Sequence, residues 1–284
     1  MADFSQTTVF LMDNGSLRPT STLALRKIAG KLAPWAQKNF GVSLEPASLL
    51  HSSRVPAEDL GGEKAEIVYQ RIKRLYHEEG RRRFLVLPLF IGPSRALTEY
   101  LPTKRAEWRE RFPGLDLSIA SPLYREGDSR LAEMLAELVP PFLQGTGRRP
   151  KVALVDHGSP EPKVTDVRNR LALELAARLG ERVEKVSPAS MERREGDEYA
   201  FSDPLLEDLL DQPDWTGGRI LVSMLFLLPG RHAGEGGDVA EIIENSQQRH
   251  PNRVVEMTPL LGENPRLVEI LQDRLTEALA DLAR

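Results

Sequence analysis

Apolar residues recur along this chain in two rhythms. Short unbroken runs such as Val152–Val155 and Ile220–Leu228 have the length and content of buried strands. Between the runs, apolar positions return every three or four residues. Val164, Val167, Leu171, Leu175 and Leu179 mark one helix face, and Leu267, Leu271, Leu275 and Ala278 mark another. Val183–Val186 reads as a weaker strand, Pro204–Leu210 as a short helix and Val254–Met257 as a last strand. Asp238 with Glu241 reads as a capping box opening the helix before that strand. Strict alternation of strand and helix predicts an α/β fold: a parallel four-stranded sheet with helices on both faces and right-handed crossovers.

The first half repeats this plan. VFLMDNGS (Val9–Ser16) returns as VALVDHGS (Val152–Ser159), and PASLLHSSR (Pro46–Arg54) as PASMERREG (Pro188–Gly196). LVLPLFIGPSRA (Leu85–Ala96) returns as LVSMLFLLPGRH (Leu221–His232). ASPLYREGDSRLAEML (Ala120–Leu135) returns as MTPLLGENPRLVEIL (Met257–Leu271). The offset is 143 residues from Asn14 to His157, 142 from Pro46 to Pro188 and 136 from Phe90 to Phe226. Four blocks in one order at a domain-sized offset describe a duplicated domain rather than a solenoid. The boundaries expected are a first domain over 1–143, a turn-rich linker over 144–150 and a second domain over 151–284.

Composition narrows the function. The 284 residues are 40% hydrophobic and 28% charged, an ordinary soluble balance. With no cysteine, thiolate ligands, thiol nucleophiles and disulfides are excluded. A net charge of −4 gives no support to nucleic-acid binding. No run has the length of a membrane span, and the start does not read as a secretory leader, so the expected compartment is the cytoplasm.

In open parallel sheets, ligands bind beyond the carboxyl ends of the strands. His157 follows the strand Val152–Val155, Glu192 follows the second strand, and His232 lies four residues past the predicted end of the third strand at Leu228. All three therefore face one edge of the sheet. Two imidazoles and a carboxylate suit a divalent metal ion with open positions, and neutral imidazole is also a base near cellular pH. The repeat partners of the histidines are Asn14 and Ala96, so the fold itself does not call for imidazole there. Ser159, two residues after His157, lacks triad geometry. Gly234–Gly237 lacks the lysine and spacing of a P-loop. On the residues alone, the site suits a metal-handling enzyme, a non-catalytic metal or tetrapyrrole carrier, or a metal-assisted hydrolase.

VALVDHGS before a helix, MLFLLPGRH at a later strand end, ASME (Ala189–Glu192) and TPLLGENPRLVEIL together resemble the sirohydrochlorin chelatases of the class II chelatase group. The resemblance implies two tandem flavodoxin-like halves and a cleft between them. It implies insertion of Co²⁺ or Fe²⁺ into sirohydrochlorin without ATP, in siroheme or cobalamin synthesis; Ni²⁺ suits the same ligands, and no cofactor beyond the substrate metal is implied. His157 and His232 match the metal-binding and proton-abstracting histidines, and Glu192 the supporting carboxylate.

This chain departs from the family pattern in three places. Asp156 stands where glycine is usual, Pro160 stands where an arginine often follows HGS, and the first half has lost both histidines. In long members the site would be expected in the first half. Sirohydrochlorin, or a precorrin-2-like relative, carries eight carboxylates, which calls for a basic rim. Arg193, Arg194 and Arg231 adjoin the site, and Arg18, Arg54 and Arg95 occupy the equivalent edge of the first half. Ser159 joins them as a substrate-binding candidate. A chain with two halves can supply its own cleft as a monomer.

Overall fold

The computed structural model describes residues 3–143, 149–234 and 236–283. The first repeat runs β1 (Thr7–Met12), α1 (Pro19–Phe40), β2 (Ser43–Pro46), α2 (Val68–Glu78), β3 (Arg83–Pro88), α3 (Leu101–Arg111), β4 (Asp116–Ile119) and α4 (Arg130–Glu137). The second runs β5 (Lys151–Asp156), α5 (Pro162–Leu179), β6 (Lys185–Ser190), α6 (Leu206–Asp211), β7 (Gly218–Met224), α7 (Asp238–Arg249), β8 (Arg253–Met257) and α8 (Arg266–Leu282). The strands form two four-stranded sheets, ordered β2-β1-β3-β4 and β6-β5-β7-β8. Every pairing is parallel.

Both faces of each sheet are covered, so the central strands carry no polar-out alternation. All six residues of β1 and all six of β5 are buried. In the first sheet, Phe10, Met12, Phe84 and Val86 pack against Val68, Ile72 and Leu75 of α2 and against Leu101 and Trp108 of α3. In the second, Ala153, Val155, Val222 and Met224 meet Leu206 and Leu209 of α6 and Val239 and Ile243 of α7.

The duplicated architecture is as the sequence predicts, but the compact units do not follow the repeat boundary. One unit comprises Met1–Leu123 with Pro265–Arg284, and the other Tyr124–Asn264. Thus the last helix of each repeat has changed places: α8 packs on α1 and β3, and α4 packs on α5. Inside the first unit, Arg274 of α8 donates to Pro122 O at 3.0 Å and Leu123 O at 2.7 Å. In the second, Arg178 of α5 lies 3.2 Å from Glu133 of α4. Periodicity shows which face of a helix is apolar, not which sheet receives it. Hence the boundaries 1–143 and 151–284 describe the repeat and not the packing. Of the linker 144–150, residues 144–148 lie outside the described residues.

Two further expectations shift. The third strand of the second repeat ends at Met224, not Leu228, which leaves His232 eight residues beyond it. Leu225 N still bonds Val155 O at 2.9 Å, so the apolar run continues as covered coil rather than strand. The capping box is also absent. The N-cap of α7 is Gly237, without a side-chain cap, and the Asp238 carboxylate has another partner.

Leu267, Ile270, Leu271, Leu275 and Leu279 of α8 are all buried. At roughly 2 kcal/mol each, their burial is worth about 10 kcal/mol, the scale of a whole domain's stability. A fragment of residues 151–284, cut at the repeat boundary, is therefore expected to aggregate or to melt without cooperativity. Residues 124–264 should unfold in one cooperative transition. Thermal unfolding followed by near-UV circular dichroism compares the two; equal cooperativity would contradict the helix exchange.

Candidate metal-handling site

The order β6-β5-β7 places the carboxyl ends of three neighbouring strands side by side. His157 follows β5 and His232 follows β7, the pair between which the strand order reverses, and Glu192 follows β6. The two imidazole rings lie 4.6 Å apart between centroids and are nearly perpendicular, at 86°. His157 Nε2 is 3.5 Å from Glu192 Oε1. His157 is exposed and His232 half-buried, so the pair borders solvent.

The backbone holds this geometry through a close approach. Gly158 has φ +90°, and a Cβ on it would fall 1.8 Å from the carbonyl oxygen of Glu192. Only glycine fits both the left-handed conformation and the contact. Met191 N bonds Asp156 O at 2.8 Å and Glu192 N bonds His157 O at 3.2 Å, which carries the β5–β6 pairing out to the site. Gly15 repeats the arrangement in the first unit, with φ +89° and a Cβ position 1.7 Å from Leu50 O. The frame is common to both halves, and the side chains on it differ: Asn14, Leu50 and Ala96 against His157, Glu192 and His232.

Hydrogen bonds assign the ring nitrogens. His232 Nδ1 lies 2.6 Å from Asp238 Oδ2, so it carries the proton and donates to the carboxylate. His157 Nδ1 lies 3.0 Å from Gly158 O, again an acceptor, so it too donates. Each neutral ring then keeps an unprotonated Nε2. His157 Nε2 faces the Glu192 carboxylate at 3.5 Å, so the two can contribute donors to one cation. Among the described residues no group of three or more His, Asp or Glu side chains is placed to hold a metal ion; what the structure brings together is the ring pair, with Glu192 beside one of the rings.

Asp238 was not legible as a site residue, because an acid at a helix start has a ready reading as a cap. The glycine-rich turn before it returns the chain: Asp238 N bonds Arg231 O at 3.3 Å and Val239 N bonds His232 O at 3.2 Å. A Cβ on Gly237 would meet the His232 carbonyl at 3.0 Å. An acid six residues after a histidine across glycines was the available signal. Glu235, within this turn, lies outside the described residues.

The arginine candidates divide. Arg194 and Arg231 are exposed beside the site, Arg194 over the Tyr199 ring and Arg231 3.7 Å from Asp238. Arg193 is committed locally: Nε donates to Asp203 at 2.7 Å and Nη1 to the carbonyls of Arg194 and Gly196. In the first unit, Arg18 and Arg54 are exposed, and Arg95 pairs with Glu99 at 3.7 Å. Ser159 Oγ accepts from Glu161 N at 3.1 Å and so shapes the turn into α5.

Beneath the histidines, Asp156 is buried. Burial pushes its carboxyl above the ordinary range, and Arg168, Ser190 and the Gly158 N–H draw it back. In the first unit, burial raises the matching Asp13 to about 6, and the hydroxyls of Ser48 and Ser21 draw it back only in part.

The second repeat, residues 151–278, matches the CbiX family model. No curated protein matches the sequence. The fold is similar to SirB from Bacillus subtilis, solved with Fe³⁺: TM-score 0.67 at 14% identity, over 98% of this chain and 97% of that one. It is also similar to CbiX, described as the terminal enzyme of siroheme biosynthesis in denitrifying bacteria, at TM-score 0.56 and 14% identity over 96% and 99%. DR2241 from Deinococcus radiodurans, a multi-domain protein with structural similarity to chelatases, gives TM-score 0.57 and 13% identity, covering 94% of this chain and 54% of that one. Among the described residues no helix is long and apolar enough to cross a membrane.

Two outcomes test this geometry. Gly158→Ala should lose about 3 kcal/mol of stability from the left-handed φ plus the clash. Gly61→Ala, at φ +74° with nothing within 4 Å, should lose only about 1 kcal/mol; urea titration measures both, and equal losses would deny the close approach. For Asp13, the folded value of about 6 lies above the ordinary 3.8. The neutral form is therefore favoured by folding: stability is highest below pH 3.8 and is lost as pH rises through 6, about 3 kcal/mol in all. Asp13→Asn should stabilise the protein at pH 8 and much less at pH 4, as urea midpoints at the two pH values would show.

Proposed function

We propose that the chain, whose residues 151–278 match the CbiX family model, inserts a divalent metal ion into sirohydrochlorin at His157 and His232, without ATP. The carrying observation is the pair of rings 4.6 Å apart, each with Nδ1 engaged by an oxygen acceptor, and with Glu192 beside His157 Nε2. The reaction exchanges two pyrrole N–H protons for one M²⁺. The two Nε2 atoms and Glu192 hold the ion first. As it passes to the ring nitrogens, each imidazole loses a metal bond and regains a lone pair able to accept a proton. The exchange thus balances in charge and in protons, and water carries the protons away.

Asp238, hydrogen-bonded to Nδ1, fixes the tautomer and orientation of the His232 ring. Arg194 and Arg231 receive substrate carboxylates beside the site. Arg193 supports them by ordering the Arg194 backbone, and Ser159 by shaping the His157 turn. The likeness to a siroheme-forming CbiX favours Fe²⁺ as the metal. Co²⁺, on the way to cobalamin, and Ni²⁺ suit the same nitrogen and oxygen donors.

Anaerobic absorbance spectra with excess sirohydrochlorin and Fe²⁺, Co²⁺ or Ni²⁺ should show many turnovers per chain. His157→Ala and His232→Ala are each expected to lower kcat/KM by about 100-fold or more, and Asp238→Asn by about 10-fold or more, with circular dichroism unchanged. Stoichiometric binding without turnover would make the protein a carrier. Full activity in both histidine variants would remove the site assignment.

A further inference from the structure

α1 and α5 begin at matched prolines, Pro19 and Pro162, with the same 143-residue offset that relates Asn14 to His157. At that offset Leu25 in the first repeat corresponds to Arg168 in the second, and both are 1% exposed. The same fold is therefore built once with leucine and once with arginine at a core position. A buried guanidinium is costly unless its N–H groups are bonded and its charge is met. A fold that accepts leucine does not need that charge for packing.

Arg168 is bonded throughout. Nε and Nη2 both donate to Asn169 Oδ1 at 3.0 Å. Nη1 donates to Ser190 Oγ and, at 2.9 Å, to Ser202 O, and lies 3.7 Å from Asp156 Oδ1. Ser190 Oγ donates to Asp156 Oδ1 at 2.9 Å, which also accepts from Gly158 N at 3.1 Å. Ser202 Oγ donates to Ser159 O at 3.3 Å. The cluster thus joins three segments: the turn carrying His157, the end of β6 two residues before Glu192, and the 3-10 turn Asp197–Ser202. The first repeat keeps the acid and the serine, Asp13 and Ser48, and lacks both the arginine and the ligand set.

From this coincidence we propose that Arg168 is a positioning residue, which locks the His157 turn and the Glu192 segment into one metal-binding geometry through Asp156, Ser190 and Ser202. It does not act on His232, which has its own partner in Asp238. The inference rests on His157 and Glu192 being metal ligands, as the functional reading holds.

Co²⁺ binding without macrocycle, followed by the d–d absorption of the bound ion, tests it. Arg168→Leu, the first repeat's residue, should weaken Co²⁺ binding about 10- to 100-fold and alter the ligand-field spectrum. Arg168→Lys, which keeps the charge and part of the hydrogen bonding, should recover most of the affinity. Where Arg168→Leu fails to fold because Asp156 is left unpaired, Arg168→Leu with Asp156→Asn removes that charge and decides the matter. Weak Co²⁺ binding with a cooperative melt supports the role; wild-type affinity and spectrum in either folded variant overturn it. If the wild-type chain binds Co²⁺ yet never metallates sirohydrochlorin, the chelatase reading falls while the positioning role is still decided by these variants.

Discussion

Parallel pairing around β5 governs everything at this site. Because β6, β5 and β7 all run the same way, their carboxyl ends share one edge, and residues far apart in sequence leave the sheet together. The strand order reverses between β5 and β7, the position at which open parallel sheets bind ligands. Gly158 completes the constraint: without a Cβ, the β5 turn settles directly on the carbonyl of Glu192. The ring contact, the carboxylate and the buried network beneath them all presuppose that approach.

This constraint explains which parts were legible in the sequence. Strand and helix periods identify a doubly covered parallel sheet, and the sheet alone sends His157, Glu192 and His232 to one edge. What periodicity lacks is information about partners. The apolar stripe of α8 is plain from Leu267, Leu271 and Leu275, yet nothing in it distinguishes packing on its own repeat from packing on α1. The apolar run through Leu228 likewise reads as strand because burial, not pairing, sets its composition; Leu225 onward is covered coil. Asp238 and Arg168 were hidden differently. Each has an ordinary local reading, as helix cap or polar helix position, and only the fold shows their real neighbours. Arg168 did leave a trace: it lies in register with Thr165, Ala172, Leu175 and Leu179 on the buried face of α5.

Duplication supplies an internal control. The first unit carries the same turn, the same buried acid and the same serine, and none of the ligands. The turn geometry is therefore a property of the fold and not a consequence of metal chemistry. Chemistry has been placed on it by a few side chains at the rim and one buried cation. Asp13 and Asp156 show how that cation alters the interior. Burial raises both carboxyls; at Asp156 the neighbouring guanidinium opposes that rise, and at Asp13 only hydroxyl and backbone groups do. The hydrogen bonds that Asp156 accepts from Gly158 N and Ser190 Oγ join the turn after β5 to the end of β6.

The two histidines are not equivalent, and their difference fits a site that must both hold and release an ion. His157 is exposed and donates to a neutral carbonyl, so its Nε2 is an ordinary imidazole donor facing Glu192. His232 is half-buried and donates to a carboxylate in the first turn of a helix, where the helix dipole favours the negative charge. That hydrogen bond fixes the tautomer and the orientation of the ring. On the proposed function, an exchange of one metal ion for two protons uses this difference. One ring can yield the ion early and the other can keep a proton until water removes it.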